Sequence, residues 1–235
     1  MTQPDPLETF ETRQACIIEC ERCQQLRAYG KQIAVTKRRA YLDWDYWGRP
    51  VPDFGAADAG MLIVGLAQGA HGAHRTGRMF TGDRSGEWLY RSLFNNGFAN
   101  QPESTSIDDG LTLDDCLITA VAHCAPPDNR PALEEQHRCQ DYLEAALAHP
   151  GRKVVVCLGQ IAWNAAFRIQ KLRGEWHGAR PKFGHGSQVE TDRLTFIGSY
   201  HPSQQNTLTG RLTREMLDQI FATARQLLES NKGTS

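Results

Sequence analysis

No run of about eighteen apolar residues occurs in this 235-residue chain, so nothing in it reads as a membrane-spanning helix. The first ten residues, MTQPDPLETF, lack the charged-then-apolar pattern of a secretory signal, and a cytosolic protein without membrane attachment is expected. An excess of one charge is missing too. The formal net charge is −1, which excludes a uniformly basic protein but leaves room for a local basic surface. There is no internal repeat, no low-complexity tract, and neither a dinucleotide fingerprint nor a P-loop. Residues 230–235 read as a frayed tail. What remains is ordinary: 40% hydrophobic and 23% charged residues, the composition of a soluble globular protein. At this length one large domain spanning 1–235 is expected.

The most informative segment runs from Gly65 to Gly86, GLAQGAHGAHRTGRMFTGDRSG. It follows the apolar run Met61-Leu62-Ile63-Val64 and leads into a helical pattern at Trp88, Leu89 and Leu93. Its glycines let the backbone turn sharply and approach a ligand closely, and loops at the carboxyl ends of strands are where open α/β sheets bind ligands. Phe80 supplies a flat apolar face and Asp83 a carboxylate. His71, His74, Arg75, Arg78 and Arg84 supply a positive rim. Together these suit a nucleobase on a phosphate backbone. Asp83 is equally well placed as a helix N-cap after Thr81-Gly82.

A second polar loop, Ser199-Tyr200-His201-Pro202-Ser203-Gln204-Gln205-Asn206-Thr207-Leu208-Thr209-Gly210-Arg211-Leu212-Thr213, also lies between an apolar run and a helix. His201 precedes a proline and is therefore restrained to extended backbone. A positioned imidazole at a strand end is a catalytic candidate.

Seven cysteines in a cytosolic chain are not expected to form disulfides. Cys20-x-x-Cys23, placed in a first helix, joins Cys124 and Cys139 as a set of four thiolates that suits either tetrahedral zinc or an iron–sulfur cluster. Cys116 and Cys157 sit in apolar runs and read as small buried hydrophobes. Cys16 lies one helical turn before Cys20 and can substitute as a ligand. Asp108, Asp109, Asp114 and Asp115 read as a solvated acidic face. Arg168, Lys171, Arg173, Arg180, Lys182 and Arg193 read as a DNA-facing basic region.

Continuous apolar runs at Met61–Ala67, Cys116–Ala122, Lys153–Gly159 and Leu194–Tyr200 predict strands buried on both faces. Helical patterns at Glu87–Asn95, Leu133–Leu147 and Ile161–Gln170 alternate with them. A last amphipathic helix carries Leu212, Met216, Leu217, Ile220, Phe221, Ala224 and Leu228. The expectation is an α/β fold, a three-layer α/β/α sandwich around a central, mainly parallel four-stranded sheet. Tyr29–Gly60, with Trp44, Tyr46, Trp47, Pro50 and Pro52, predicts an irregular connection packed on the core.

The strings HGAHRTGRMFTGDRSG and SYHPSQQNTLTGRLT, with the supporting CAPPDNRP around Asn129, resemble the signature motifs of the family 5 uracil-DNA glycosylases, relatives of the family 4 enzymes in the uracil-DNA glycosylase superfamily. The resemblance runs from about Cys16 to the final helix. It implies a monofunctional DNA repair glycosylase acting on double- and single-stranded DNA, expected as a monomer. It implies a [4Fe-4S] cluster held by Cys20, Cys23, Cys124 and Cys139, with the N-terminal helix contributing to the site, and it leaves zinc as the alternative. It implies catalytic roles for Asp83, His201 and Asn129, and a base pocket built from Gly65, Leu66, Ala67, Gln68 and Phe80. Arg75, Arg78, Gln204, Gln205, Asn206 and Arg211 are then expected to contact DNA.

Two departures from the family 4 pattern bear on specificity. Leu66 stands where those enzymes carry an acidic residue after the first glycine, and Ala120 stands where they carry a uracil-reading asparagine. A site without that amide should discriminate less, so uracil is expected first, with hypoxanthine and xanthine also possible substrates. Gln68 replaces a frequent proline, with only a local backbone effect expected. A lyase of the endonuclease III kind is disfavoured, because its C-terminal cysteine cluster is absent and neither loop offers a Schiff-base lysine. The rival reading is a non-catalytic iron–sulfur DNA-binding module.

Overall fold

In a computed structural model that describes residue 7 and residues 9–232, the chain folds around a six-stranded sheet. The elements follow in the order α1 (Phe10–Ile18), α2 (Gln24–Thr36), β1 (Phe54–Gly55), β2 (Met61–Gly65), α3 (Ala73–Thr76) and α4 (Arg84–Asn95). Then come β3 (Cys116–Ala120), α5 (Leu133–Arg138), α6 (Gln140–Ala148), β4 (Val154–Leu158) and α7 (Gln160–Leu172). The chain closes with β5 (Gln188–Glu190), β6 (Thr195–Ser199), α8 (Gln204–Leu208) and α9 (Arg214–Lys232). The strand order is β1-β3-β2-β4-β6-β5. β3, β2, β4 and β6 are mutually parallel, and each falls within its predicted apolar run. The expected four-stranded sheet is therefore extended at both edges, by β1 antiparallel to β3 and by β5 antiparallel to β6.

Alternate side chains of the central strands face opposite layers. Met61, Ile63, Val154 and Val156 join a core with Leu89, Leu93, Leu217 and Phe221 of α4 and α9. Leu62, Val64, Val155 and Cys157 join a second core with Leu143 and Leu147 of α6 and Trp163 and Phe167 of α7. Cys116 and Cys157 are fully buried in the strands, as expected of small hydrophobes. The predicted helix over Leu133–Leu147 is two helices, α5 and α6, meeting at Cys139. Among residues 230–235, residues 230–232 are helical and the rest of the predicted tail lies outside the described residues. No helix among the described residues is long and apolar enough to cross a membrane.

All four parallel strands end at the same edge of the sheet. The chain leaves β2 into the first motif, β3 into the Cys124–Pro131 segment, β4 into Gly159 and α7, and β6 into the second motif. In this order the winding reverses between β2 and β4, the crevice where open sheets bind ligands.

Candidate active site and cysteine cavity

At that edge Phe80 stands directly over the end of β2. A β-carbon on Gly65 would lie 3.0 Å from its ring, so any larger residue there would crowd the ring out of this position. Phe80 itself has a positive φ of 54°, a conformation that a bulky residue adopts only when its surroundings impose it. The His201 ring lies 5.9 Å from it, centroid to centroid and tilted by 32°. The His201 Cβ approaches Gly159, whose own φ is +96°. The two motif loops thus meet above the end of β4. Burial holds the His201 imidazole down to about 4, so it is neutral at physiological pH.

Asp83 is the N-cap that the sequence allowed, and its second oxygen is not used by the cap. Its Oδ1 accepts the Gly86 amide at 2.9 Å and caps α4. Its Oδ2 turns back over Gly69 and Gly72, where a β-carbon on Gly69 would lie 3.1 Å away. Burial raises the Asp83 carboxyl above its ordinary value, against the opposing pull of the Gly86 and Ser85 amides.

Leu66 and Ala67 are half-buried in the turn after β2. Gln68 is buried, with its Nε2 donating to Ala122 O at 3.4 Å, so it ties the first motif to the loop after β3. Asn129 is exposed in a one-turn 3₁₀ element, Pro127–Asn129, where both Asp128 and Asn129 have positive φ. Left-handed backbone there suits a turn asparagine.

Arg75 and Arg78 correct the expectation of a basic rim. Both are buried. The Arg75 guanidinium lies 4.0 Å from the ring centres of both Tyr41 and Trp44, which stand edge to face, and it donates to His71 O at 2.7 Å and Gly82 O at 3.1 Å. Arg78 pairs with Asp109 at 2.6 Å and also binds Thr81 and Ser104. Burial would raise the Asp109 carboxyl, but the Arg78 contact and the Leu111 and Thr105 amides outweigh it and hold it at about 2. The predicted acidic face is accordingly part structural, since Asp115 Oδ1 also accepts the Gly60 amide. His74 is another inward member of the predicted rim, buried with Nε2 at 3.0 Å from Gly30 O.

In the second motif, Ser203 caps α8, and Asn206 Nδ2 donates to His201 O at 2.8 Å, pinning the histidine's backbone. Gln204 and Gln205 are exposed. Arg211 is exposed and lies over the Tyr200 ring at 4.5 Å.

Cys20, Cys23, Cys124 and Cys139 line one cavity, walled also by Leu26, Pro50 and Tyr142. The predicted location of the C-x-x-C in a helix is corrected. Cys20 follows α1 and Cys23 caps α2, so the pair occupies the connection between them. Cys16 lies in α1 and is not part of that lining. Arg22 Nη1 donates to Arg138 O at 3.1 Å, and Arg138 Nη1 donates to Arg22 O at 3.2 Å, a reciprocal clasp across the mouth. Among the described residues no three Cys, His or acidic side chains converge tightly enough to hold a single ion. The four thiols surround a space instead.

Comparison with known proteins agrees with this geometry. The family model of the uracil DNA glycosylase superfamily matches residues 52–225. The type-5 uracil-DNA glycosylase of Mycobacterium bovis is 46% identical over 216 residues, covering 91% of this chain and 80% of that protein. Those of Pyrobaculum aerophilum and Thermus thermophilus are each 42% identical, over 208 and 210 residues, covering 88% of this chain and 88% and 93% of the respective relatives. The type-4 enzyme of Pyrobaculum aerophilum is 28% identical over 159 residues. The chain belongs to the uracil-DNA glycosylase superfamily and, within it, to the type-5 uracil-DNA glycosylases.

Proposed function

We propose that the chain is a monomeric, monofunctional DNA repair glycosylase that hydrolyses the N-glycosidic bond of uracil and leaves an abasic site. The observation that carries this is the contact of Phe80 with His201 at the switch-point edge of the sheet, with Asp83 of the same motif turned over Gly69 and Gly72, in a member of this family.

A glycosylase reaches its bond by extruding the nucleotide into a pocket. Phe80 stacks on the extruded base, held in place by the glycine at 65. Backbone N–H groups of the Gly65–Gly69 turn donate to the base carbonyl as it gains charge, as in an oxyanion hole. Cleavage leaves an oxocarbenium-like sugar and an anionic base. The free oxygen of Asp83 supplies negative charge to the sugar or orients the attacking water. His201, neutral with one ring N–H, donates a hydrogen bond to the base oxygen or a flanking phosphate. Asn129 holds water or the base edge. Gln204, Gln205 and Arg211 offer donors to the DNA from the exposed side of the second motif.

Ala120 closes β3 opposite Gly65 and brings no amide to the pocket. A pocket that lacks a buried donor has nothing to leave unpaired when a different base enters. Uracil is the first substrate, and hypoxanthine and xanthine are admitted more weakly. Duplexes carrying uracil, hypoxanthine, xanthine or a thymine mismatch test this by free-base release. Release from none of them would leave the non-catalytic DNA-binding module.

The cysteine cavity holds a [4Fe-4S] cluster on Cys20, Cys23, Cys124 and Cys139. The fit rests on four thiols around one space, a donor set that such clusters take and that tetrahedral zinc takes as well. The cluster, when bound, ties α1, α2, the loop after β3 and the α5–α6 junction together. None of its ligands lies in either motif loop, so its contribution is to folding.

A further inference from the structure

Beside the Pro127–Asn129 turn a broad cleft opens between the loop after β3 and the first turns of α7. Its walls include Arg130, Pro131, Ile161, Asn164, Arg168 and Arg180. Nothing in the reaction above uses it. Three guanidinium groups share this cleft. Neither Arg130 nor Arg180 makes a side-chain hydrogen bond or ion pair among the described residues, and both are exposed. Arg168 is anchored, its Nε donating to Gln140 Oε1 at 2.8 Å. Desolvation, and then the nearby Arg180, lower the Arg168 guanidinium from its ordinary value, so two cations stand close together with no anion between them. Of the carboxylates on the cleft wall, Glu135 already accepts the Ala132 amide at 2.7 Å, which leaves Asp128 at the rim. Such an arrangement costs free energy in the free protein and favours whatever anion fills it.

Two elements that line the cleft also reach the active-site edge of the sheet. One is the turn that carries Asn129, which lends Pro127 and Asp128 to the wall. The other is α7, which lends Ile161, Asn164 and Arg168 and is preceded by Gly159, the neighbour of His201. Arg168 lies about 12 Å along that helix from its start at Gln160, at 1.5 Å per residue. One strand of duplex DNA carries a phosphate about every 3.4 Å of axis, so this reach corresponds to roughly four base pairs at most.

We propose that the Arg130–Arg168–Arg180 cleft seats backbone phosphates of the substrate DNA, a few nucleotides from the extruded base. The assignment rests on the DNA reading above and adds to it a specific track for the strand. The contact is to phosphate, so it adds affinity without sequence preference.

The test is binding of the full-length protein to an undamaged duplex, measured as a function of salt, for the parent, Arg130→Gln, Arg180→Gln and the double variant. Both positions are exposed and unpartnered, so the variants should melt with the parent. Loss of two phosphate contacts should lower the slope of log Kd against log salt by about two and weaken binding on the order of tenfold at moderate salt. Single-turnover uracil release at saturating enzyme should stay at the parent rate. Duplexes shortened from one side should abolish the difference between parent and variant once the relevant phosphates are gone. Parent-like affinity and salt slope in the double variant would overturn the cleft assignment. Failure to release uracil would instead overturn the enzymatic reading, and the binding data would still decide the cleft.

Discussion

Oδ2 of Asp83 stands so close over Gly72 that a β-carbon on Gly72 would occupy the same space. The carboxylate is therefore held by the absence of a side chain as much as by the Gly86 amide. Asp83→Asn keeps an N-cap of nearly equal quality but loses the charge, whereas Asp83→Ala loses both. Asp83→Asn should lower single-turnover base release by at least a hundredfold with little change in melting temperature or DNA affinity. Asp83→Ala should add about 1 kcal/mol of destabilisation. Equal activity in Asp83→Asn and the parent would reduce the residue to a cap.

His201 gives a stability signature with a definite sign. Its folded-state value near 4 lies below the ordinary 6.5, so between those pH values the unfolded chain binds more protons than the native one. The stabilisation is complete above about pH 6.5 and is lost as pH falls toward 4. His201→Gln should flatten the dependence of unfolding free energy on pH within that window. Denaturant titrations at several pH values measure it, and an unchanged slope would contradict a buried neutral imidazole.

Protein purified without oxygen should be brown and contain iron and acid-labile sulfide in equal amounts. Cys139→Ser should reduce folded yield before it changes the rate of the surviving protein, because metal-site free energy is folding free energy. A colourless protein carrying one zinc would exclude the cluster.

Gln204 and Gln205 are exposed at the start of α8 and follow the restrained His201-Pro202 pair. Extrusion leaves a gap in the stack at a cost of a few kcal/mol, least for mismatched or single-stranded uracil. Amides both donate and accept, which suits any orphaned partner base. Replacing both glutamines with Ala should slow release from paired uracil about tenfold more than from single-stranded uracil. Equal losses on both would assign them to shaping the pocket.

The four central strands were legible because each is a continuous apolar run, the mark of burial on both faces. The edge strands were not. β1 has two residues and β5 is the polar Gln188-Val189-Glu190, so neither carries a hydrophobic pattern. The break at Cys139 was hidden because no glycine or proline marks it. Asp83, Phe80 and His201 could be singled out because local sequence placed them at strand ends. Arg75 and Arg78 were misplaced for the opposite reason. Their partners Tyr41, Trp44 and Asp109 lie far along the chain, and an arginine with distant partners looks like a surface arginine. Gly65 opposite Phe80 and the cation-lined cleft beside Asn129 likewise exist only once separate elements come together.

The seating of Arg75 in the corner between Tyr41 and Trp44 makes the first motif depend on a segment that contributes nothing to the sheet. Within residues 39–47 a single 3₁₀ turn, Arg39–Tyr41, is the only regular structure. Such a segment can open by itself while the strands stay paired. Opening would release the guanidinium that braces the carbonyl of His71, between the two glycines beneath Asp83, and that of Gly82, next to Asp83 itself. The first motif is therefore anchored in part through two aromatic rings outside the sheet, and loosening of that segment reaches the loop while the strands stay paired.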